Sequence, residues 1–293
     1  MNPWVIVVIA IIVGGLVYSY WRQFSYSMVA SACCVMVFGV ELLAPNYGHY
    51  TWSPTFIDIA FSPQDILHLD RIHTVVTSMY AHAGIYHLLF NVIGLAFIGT
   101  IFEQRIGPRP FIIIYLFAGV CGTLVFAGLR WNDFPVFVVG ASGAISGVLG
   151  AFARMYPNER MRMFLMFFPL PPMQVWVIVA IFVMMQIAFV FGNTNIAWEA
   201  HIGGLLGGML IAPYIARLPL HRRVKKMISM NALRKLANTP ELKTILRRIE
   251  MEEIADVRSA WIEQFLSKAR CPHCGAPIKI TRESVMCGRG HIL

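Results

Sequence analysis

Seven apolar stretches, at about residues 3–21, 25–44, 84–102, 110–129, 142–156, 173–191 and 201–216, dominate the sequence. In hydrocarbon every backbone N–H and C=O must be satisfied within the chain, so stretches of this length are helices. An all-α polytopic membrane protein follows. Of the 293 residues 57% are hydrophobic and only 13% charged, more apolar surface than a soluble domain of this size can bury. The first stretch opens Met1-Asn2-Pro3, has no basic segment or small-residue cleavage site, and is followed by Trp21-Arg22. It therefore reads as a retained transmembrane helix with its N-terminus outside.

Charge fixes the expected orientation. Residues 1–216 hold eight Lys or Arg and eight Asp or Glu, so the whole formal excess of +9 lies in residues 217–293. Alternating the seven spans puts Arg105, Arg109, Arg154, Arg160, Arg162 and the basic tail on one side. Arg71 and Arg130 lie opposite, beside Asp58, Asp65, Asp70 and Asp133. The positive-inside rule makes the Arg-rich side cytoplasmic, so the expectation is a plasma (inner) membrane protein with a cytoplasmic C-terminus near anionic headgroups. Glu250, Glu252, Glu253 and Asp256 interrupt the basic tail and argue against nucleic acid as its partner. Cys33, Cys34 and Cys121 sit in apolar runs as packing residues.

Two segments break the simple pattern. Residues 45–76 form an outer loop in which Trp52, Phe56, Ile57, Phe61 and Ile66 mix with prolines and acids, which predicts an interfacial segment packed on the bundle. The span 142–156, stopped by Pro157, is short: fifteen residues give roughly 22 Å of helix against a hydrocarbon core of about 30 Å. With Arg154 and Tyr156 anchoring one end, the other end starts below the surface, loop 131–141 dips in, and Ser142 stands at the helix start.

That position suits chemistry. A helix N-terminus offers unpaired N–H groups and the positive end of the macrodipole, so the Ser142 amide could stabilise an oxyanion. Small residues for tight packing are the plainer explanation of Gly140-Ala141-Ser142-Gly143. His201, at the outer end of the last span, shifts the balance, because ionisable residues inside spans are costly and face the bundle interior. Gly204 and Gly208 let its helix approach the glycine face of 142–156, bringing Ser142 and His201 to one depth as nucleophile and base. Glu199 points about 200° from His201 on the same helix, which favours a dyad with Glu199 at the helix N-terminus. His87 and Asn91 share a helix face four residues apart; Asn91 is the candidate side-chain donor to an oxyanion, His87 assists, and His82 ties loop to helix. A zinc site from His82, His87 and His201 is the rival, but no carboxylate or cysteine joins them and Ser142 would go unused.

The run from Thr77 through His82 and His87 to Asn91, then Gly140-Ala141-Ser142-Gly143 and Ala200-His201-Ile202-Gly203-Gly204, resembles the rhomboid intramembrane serine proteases over about residues 25–216. The resemblance implies a six-helix bundle and a Ser142–His201 dyad needing no cofactor. It also implies an oxyanion site from His87, Asn91 and the Ser142 amide, and transmembrane proteins as substrates in the lipid bilayer. Glu103-Gln104-Arg105-Ile106-Gly107 resembles the family's structural turn, residues 45–76 its membrane-embedded loop, and residues 192–197 with the preceding helix its gate. Three features depart. Ser146 stands where many rhomboids stack an aromatic on the histidine, Trp198 and Glu199 are bulky and acidic, and the first span is extra.

The tail adds a second motif. Asn238-Thr239-Pro240-Glu241 predicts a helix start, and Leu242, Leu246, Ile249 with Ile254, Val257, Trp261, Phe265 fall at helical spacing. Cys271, Cys274, Cys287 and His291 have the spacing of a tetrahedral structural zinc site, and a module of twenty-odd residues lacks a core to fold without one. Four regions are therefore expected: helix 1–22, protease core 23–216, cytoplasmic helical linker 217–270 and a zinc-ribbon-like module 271–293. Docking a cytoplasmic partner or regulating the protease are the uses open to the tail. An inactive rhomboid-like chaperone and a transporter are the competing functions; a transporter predicts inverted repeats, which the sequence does not display.

Overall fold

The computed structural model describes residues 2–44, 53–133, 135–162, 164–165, 168–169, 171–192, 196–218, 230–252, 255–280, 285–289 and 291. Trp52, the Asn193–Asn195 part of the expected gate, Glu253 and Ile254 lie outside these residues. The chain divides into two compact units, Met1–Pro157 with Val175–His221, and Asn158–Gln174 with Arg222–Leu293.

The first unit is a helical bundle. Helix α1 spans Pro3–Arg22, its start capped by the Asn2 side chain accepting from the Trp4 amide and by Pro3 at the first position. Helix α2 follows at Tyr26–Leu43, and a Cβ at Gly15 of α1 would sit 2.6 Å from Cys33 Sγ, so the two helices touch closely there. Short helices α3 (Pro54–Ile59) and α4 (Thr74–Thr77) lie in the segment expected to pack on the bundle. Arg71 knits this segment, reaching Asp65 at 3.1 Å, Asp58 at 3.2 Å and the Ile57 carbonyl at 3.0 Å. Phe61 pairs with Val138 and so ties it to the chain entering the short helix.

Helices α5 (Ile85–Gly94) and α6 (Thr100–Ile106) form one continuous span through a π turn at Leu95–Gly99. Glu103 near its end accepts from the Tyr26 and Ser27 amides and the Ser25 and Ser27 hydroxyls, closing the N-terminus of α2. Gly107 then turns the chain with φ 86°, a conformation that glycine alone adopts without strain. Helix α7 (Pro108–Leu129), α8 (Ser142–Met155), α9 (Val175–Phe191) and α10 (Trp198–Ala216) complete the unit. The last helix begins three residues earlier than the sequence pattern predicts, which puts His201 one turn inside it.

Among the described residues, four helical stretches, Pro3–Arg22, Tyr26–Leu43, Ile85–Ile106 and Pro108–Leu129, are long and apolar enough to cross a membrane. Together with the lipid-type exposure of Ile6, Val13, Leu42, Phe90, Leu124, Met184 and Leu210, they mark an integral membrane protein.

Glycines set the centre of the bundle. On α10, Gly203 and Gly207 face α7, where added Cβ atoms would meet Val125 Cβ and Cys121 Cβ, each at 2.6 Å. Gly204 and Gly208 face α8, where added Cβ atoms would overlap the carbonyl oxygens of Gly143 and Gly147. The contacts ascend together along α8 and α10, so those helices run parallel with their backbones touching; against α7 the order reverses. Lipid tails offer no hydrophobic reason for helices to associate, so close backbone packing supplies the attraction.

In the second unit, α11 (Met230–Leu236), α12 (Pro240–Met251) and α13 (Ala255–Lys268) share a small apolar core. Leu242, Ile245 and Ile249 of α12 pack with Phe265 and Leu266 of α13. Leu246 and Trp261 are partly buried against them, while Val257 of the predicted stripe is exposed.

Candidate active site

Ser142 is the first residue of α8, and its placement depends on Gly140. That glycine has φ 109°, its amide donates to the Ser78 carbonyl at 2.8 Å, and an added Cβ would lie 2.6 Å from His87 Nε2. Any larger residue would be strained and would displace the histidine. Helix α8 starts without a side-chain cap, so the amides of Ser142, Gly143 and Ala144 have no carbonyl one turn back. Next to this end is a small recess lined by Ser78, Thr123, Gly140, Ser142, Gly143 and Ala200, among others.

His201 meets the serine from α10: Nε2 lies 2.8 Å from Ser142 Oγ. The glycine contact makes this approach possible, because Gly143 and Ala200, each adjacent to one partner, are separated by no side chain thicker than a methyl. On its other edge, His201 Nδ1 lies 2.8 Å from Gln186 Oε1 of α9, and the Phe182 ring stands 6.1 Å from the imidazole between centroids. Sequence reasoning missed Gln186. The available signal was a single amide among the apolar residues of α9, since a polar group in such a span needs a partner. Ser146, the departure noted above, turns its hydroxyl to the Ser142 carbonyl at 2.7 Å, leaving the imidazole to Phe182 and Gln186.

His87 and Asn91 approach the backbone just before Ser142, at Gly140. Asn91 is buried, and its amide nitrogen, 3.7 Å from the Cβ position on Gly140, donates to the His87 carbonyl at 2.7 Å. An NH₂ group carries two protons, so one N–H remains beyond that bond. His87 Nδ1 accepts from the Ala83 amide at 3.4 Å, which leaves Nε2 facing Gly140. His82 is buried, 5.1 Å from the His87 ring between centroids, with Nδ1 bonded to the Tyr80 carbonyl at 3.0 Å. Arg105 holds the Ile101 carbonyl at 2.9 Å and lies 5.9 Å from the Phe152 ring. Glu199 stands in the first turn of α10, and Arg130 at the end of α7 binds it at 2.5 Å.

A Rhomboid domain model matches residues 69–218, just over half of the chain. The chain belongs to the rhomboid family. The stretch of this rhomboid that matches contains every residue of the Ser142–His201 site. The chain is 35% identical over 138 residues to Rhomboid protease GluP of Bacillus subtilis (strain 168), covering 47% of this chain and 25% of that protein. RHOMBOID-like protein 12, mitochondrial, of Arabidopsis thaliana is 33% identical over 153 residues, 46% of this chain and 44% of the relative. Inactive RHOMBOID-like protein 8 of the same plant is 36% identical over 86 residues, 29% and 24% of the two chains. This rhomboid thus aligns with less than half of each of these relatives, and its similarity extends to proteins named as proteases and to one named inactive.

A second cluster lies in the C-terminal unit. Ligand atoms of Cys271, Cys274, Cys287 and His291 all fall within 4.8 Å of one another and could hold a metal ion. Cys271 begins a tight turn closed by the Gly275 amide, with Gly275 at φ 69°, and the hairpin Ile278–Ile280 with Val285–Cys287 returns the third cysteine. Burial pushes the Cys287 thiol up, yet the Arg289 and His291 amides and the Cys274 thiol hold it down at about 6.

Proposed function

We propose that the chain is an intramembrane serine endopeptidase that cleaves transmembrane segments of membrane proteins with a Ser142–His201 dyad. The observation that carries this reading is the 2.8 Å contact between Ser142 Oγ and His201 Nε2, held where two glycine-faced helices touch. In the reaction, His201 Nε2 takes the Ser142 proton as Oγ attacks the scissile carbonyl carbon, forming a tetrahedral oxyanion. The Ser142 amide at the open end of α8, the free N–H of Asn91 and His87 stabilise that oxyanion. His201 then returns the proton to the leaving amide nitrogen, and water hydrolyses the acyl-enzyme by the same steps. No cofactor enters this chemistry. Substrates are single-span proteins whose helix unwinds near the outer face, because a hydrogen-bonded helix shields its carbonyls from attack.

The reading extends to the rest of the molecule. Helix 1–22 is an addition to a protease core at 23–216, inserted with the N-terminus outside and the linker 217–270 cytoplasmic in a plasma membrane. Glu103, Arg105 and His82 serve the structure. Residues 271–293 form a zinc-ribbon-like module. Tetrahedral zinc with bonds of about 2.3 Å to sulfur and 2.0 Å to nitrogen separates ligand atoms by about 3.5–3.8 Å. Cys274–Cys287 at 3.6 Å, Cys271–His291 at 3.7 Å and Cys287–His291 at 3.4 Å support that ion. With four protein ligands the metal is structural, and a cytoplasmic partner of the tail is the proposed reason for the module.

The test is cleavage of a single-span model substrate in liposomes by wild type, Ser142→Ala and His201→Ala, with fluorophosphonate labelling alongside. Wild type should cut and label, and both variants should lose at least about 1,000-fold. If wild type fails to label, or Ser142→Ala labels equally, the chain is instead a client-gripping rhomboid that does not cleave.

A further inference from the structure

Helix α9 is apolar from end to end except for Gln186, and that amide is almost wholly buried, at 2% exposure. A polar group there is costly unless each of its atoms is used, and the way they are used carries information. The Gln186 side-chain nitrogen lies 3.3 Å from the Phe182 carbonyl one turn earlier. A carbonyl oxygen can only accept, so the amide edge toward Phe182 is NH₂, and Oε1 is the edge turned to His201. Oε1 likewise can only accept, so His201 Nδ1, at 2.8 Å, carries the proton. A neutral imidazole with its proton on Nδ1 has its lone pair on Nε2, the atom 2.8 Å from Ser142 Oγ. One backbone carbonyl on α9 thus determines, through two hydrogen bonds, which nitrogen of the base is free.

Resting on the proposed protease reading, we infer that Gln186 is a positioning residue that fixes His201 in the Nδ1–H tautomer and aims Nε2 at Ser142. It neither touches substrate nor exchanges a proton. During attack the Ser142 proton moves to Nε2 and the positive charge of the imidazolium spreads over both ring nitrogens, where the Gln186 carbonyl dipole favours it. When the proton passes to the leaving nitrogen, the Nδ1–H···Oε1 bond remains, so the ring returns to the same tautomer for the second half of the cycle. Phe182 at i−4 flanks the same ring, so the two side chains form one support on one face of α9.

The experiment compares wild type, Gln186→Met and Gln186→Glu, full-length in detergent micelles with a single-span substrate, and reads the His201 tautomer by ¹⁵N NMR of the imidazole. Methionine keeps the length and removes the acceptor; glutamate restores it. Gln186→Met should lower kcat by about 100-fold, the lower end of what a positioned general base contributes, with KM within about two-fold and thermal unfolding unchanged. Its imidazole should shift from Nδ1–H toward a mixture of tautomers, and Gln186→Glu should recover kcat to within about ten-fold of wild type. The inference is overturned if Gln186→Met keeps wild-type kcat, if the wild-type ring carries its proton on Nε2, or if activity and unfolding temperature fall together. The tautomer is read without catalysis, so an inactive wild type with an Nδ1–H imidazole would sink the protease reading and leave this assignment standing.

Discussion

The bundle and the C-terminal unit are held together by opposite means. In the bundle the centre is made by removing side chains, so that α8 and α10 meet backbone to backbone at Gly143, Gly147, Gly204 and Gly208. In the C-terminal unit the centre is made by adding them: Leu242, Ile245, Ile249, Phe265 and Leu266 form a core, and a Cys/His cluster follows it in the chain. The solvent explains the contrast. Water rewards burial of apolar area at about 25 cal/mol per Å², whereas hydrocarbon does not, leaving dispersion and shape to hold helices together. Glycine is therefore the residue to alter in one unit, and the proposed metal ligands or the caps in the other.

The largest effect expected from breaking this contrast is on the proposed metal module. A structural zinc site of this kind contributes on the order of 10 kcal/mol of apparent binding free energy. Metal analysis of the full chain should find one zinc, and Cys274→Ser or a strong chelator should release it. Limited proteolysis should then cut within 271–293 while fluorophosphonate labelling of Ser142 stays unchanged. A metal content of zero in protein purified without chelator would sink the assignment.

Gly208→Val comes next. Its Cβ would collide with the Gly147 carbonyl, and backbone cannot rotate away as a side chain can. Separation of α8 from α10 should cost at least about 3 kcal/mol, seen as earlier unfolding in SDS titration and loss of Ser142 labelling. Gly14, with nothing near its Cβ position, supplies the control: Gly14→Ala should be silent in both assays.

Arg130 distinguishes charge from packing within the bundle. The Glu199 side chain is 2% exposed and Arg130 is its ion-pair partner, 69 residues away in sequence. Arg130→Ala leaves a buried carboxylate unpaired at the start of the helix that carries His201, and should destabilise by about 2–3 kcal/mol. The double variant Arg130→Ala, Glu199→Gln should recover most of that loss in thermal unfolding. Failure to recover would show that Arg130 acts through its other contacts, the Asp133 ion pair at 3.0 Å among them, rather than through Glu199.

How much of this was legible follows from distance along the chain. The apolar runs mark the helices because the bilayer makes burial nearly uniform. The Gly-rich motifs mark the meeting of α8 and α10 because small residues at helical spacing have few other uses in a span. The tail's Cys and His spacing is local and equally readable. Arg71 with Asp58 and Asp65, Arg130 with Glu199, and Gln186 with His201 were not, because each pair is chosen by tertiary folding and the pattern around each residue is silent about its partner. The early start of α10 at Trp198 was hidden for a related reason: Glu199 lowers the apolar content there, and only its pairing with Arg130 makes that turn compatible with burial.

The smallest effect tests the two units at one shared feature, the helix N-terminus. Helix α8 begins without a side-chain cap, and the proposed chemistry uses the amides left open. Helix α12 begins closed: Thr239 Oγ1 accepts from the Leu242 amide at 3.2 Å, Pro240 occupies the first position, and Glu241 favours the positive end of the dipole. Thr239→Ala should cost about 1 kcal/mol, read as faster amide exchange at Leu242 and Lys243, and Thr239→Ser should restore protection. Because α12 is also held by Leu242, Ile245 and Ile249, with Leu246 partly buried beside them, that loss should loosen the first turn without unfolding the unit. Unchanged exchange at Leu242 would mean that α12 is held by its apolar face alone, and the contrast between an open and a closed helix start would then lose its energetic basis.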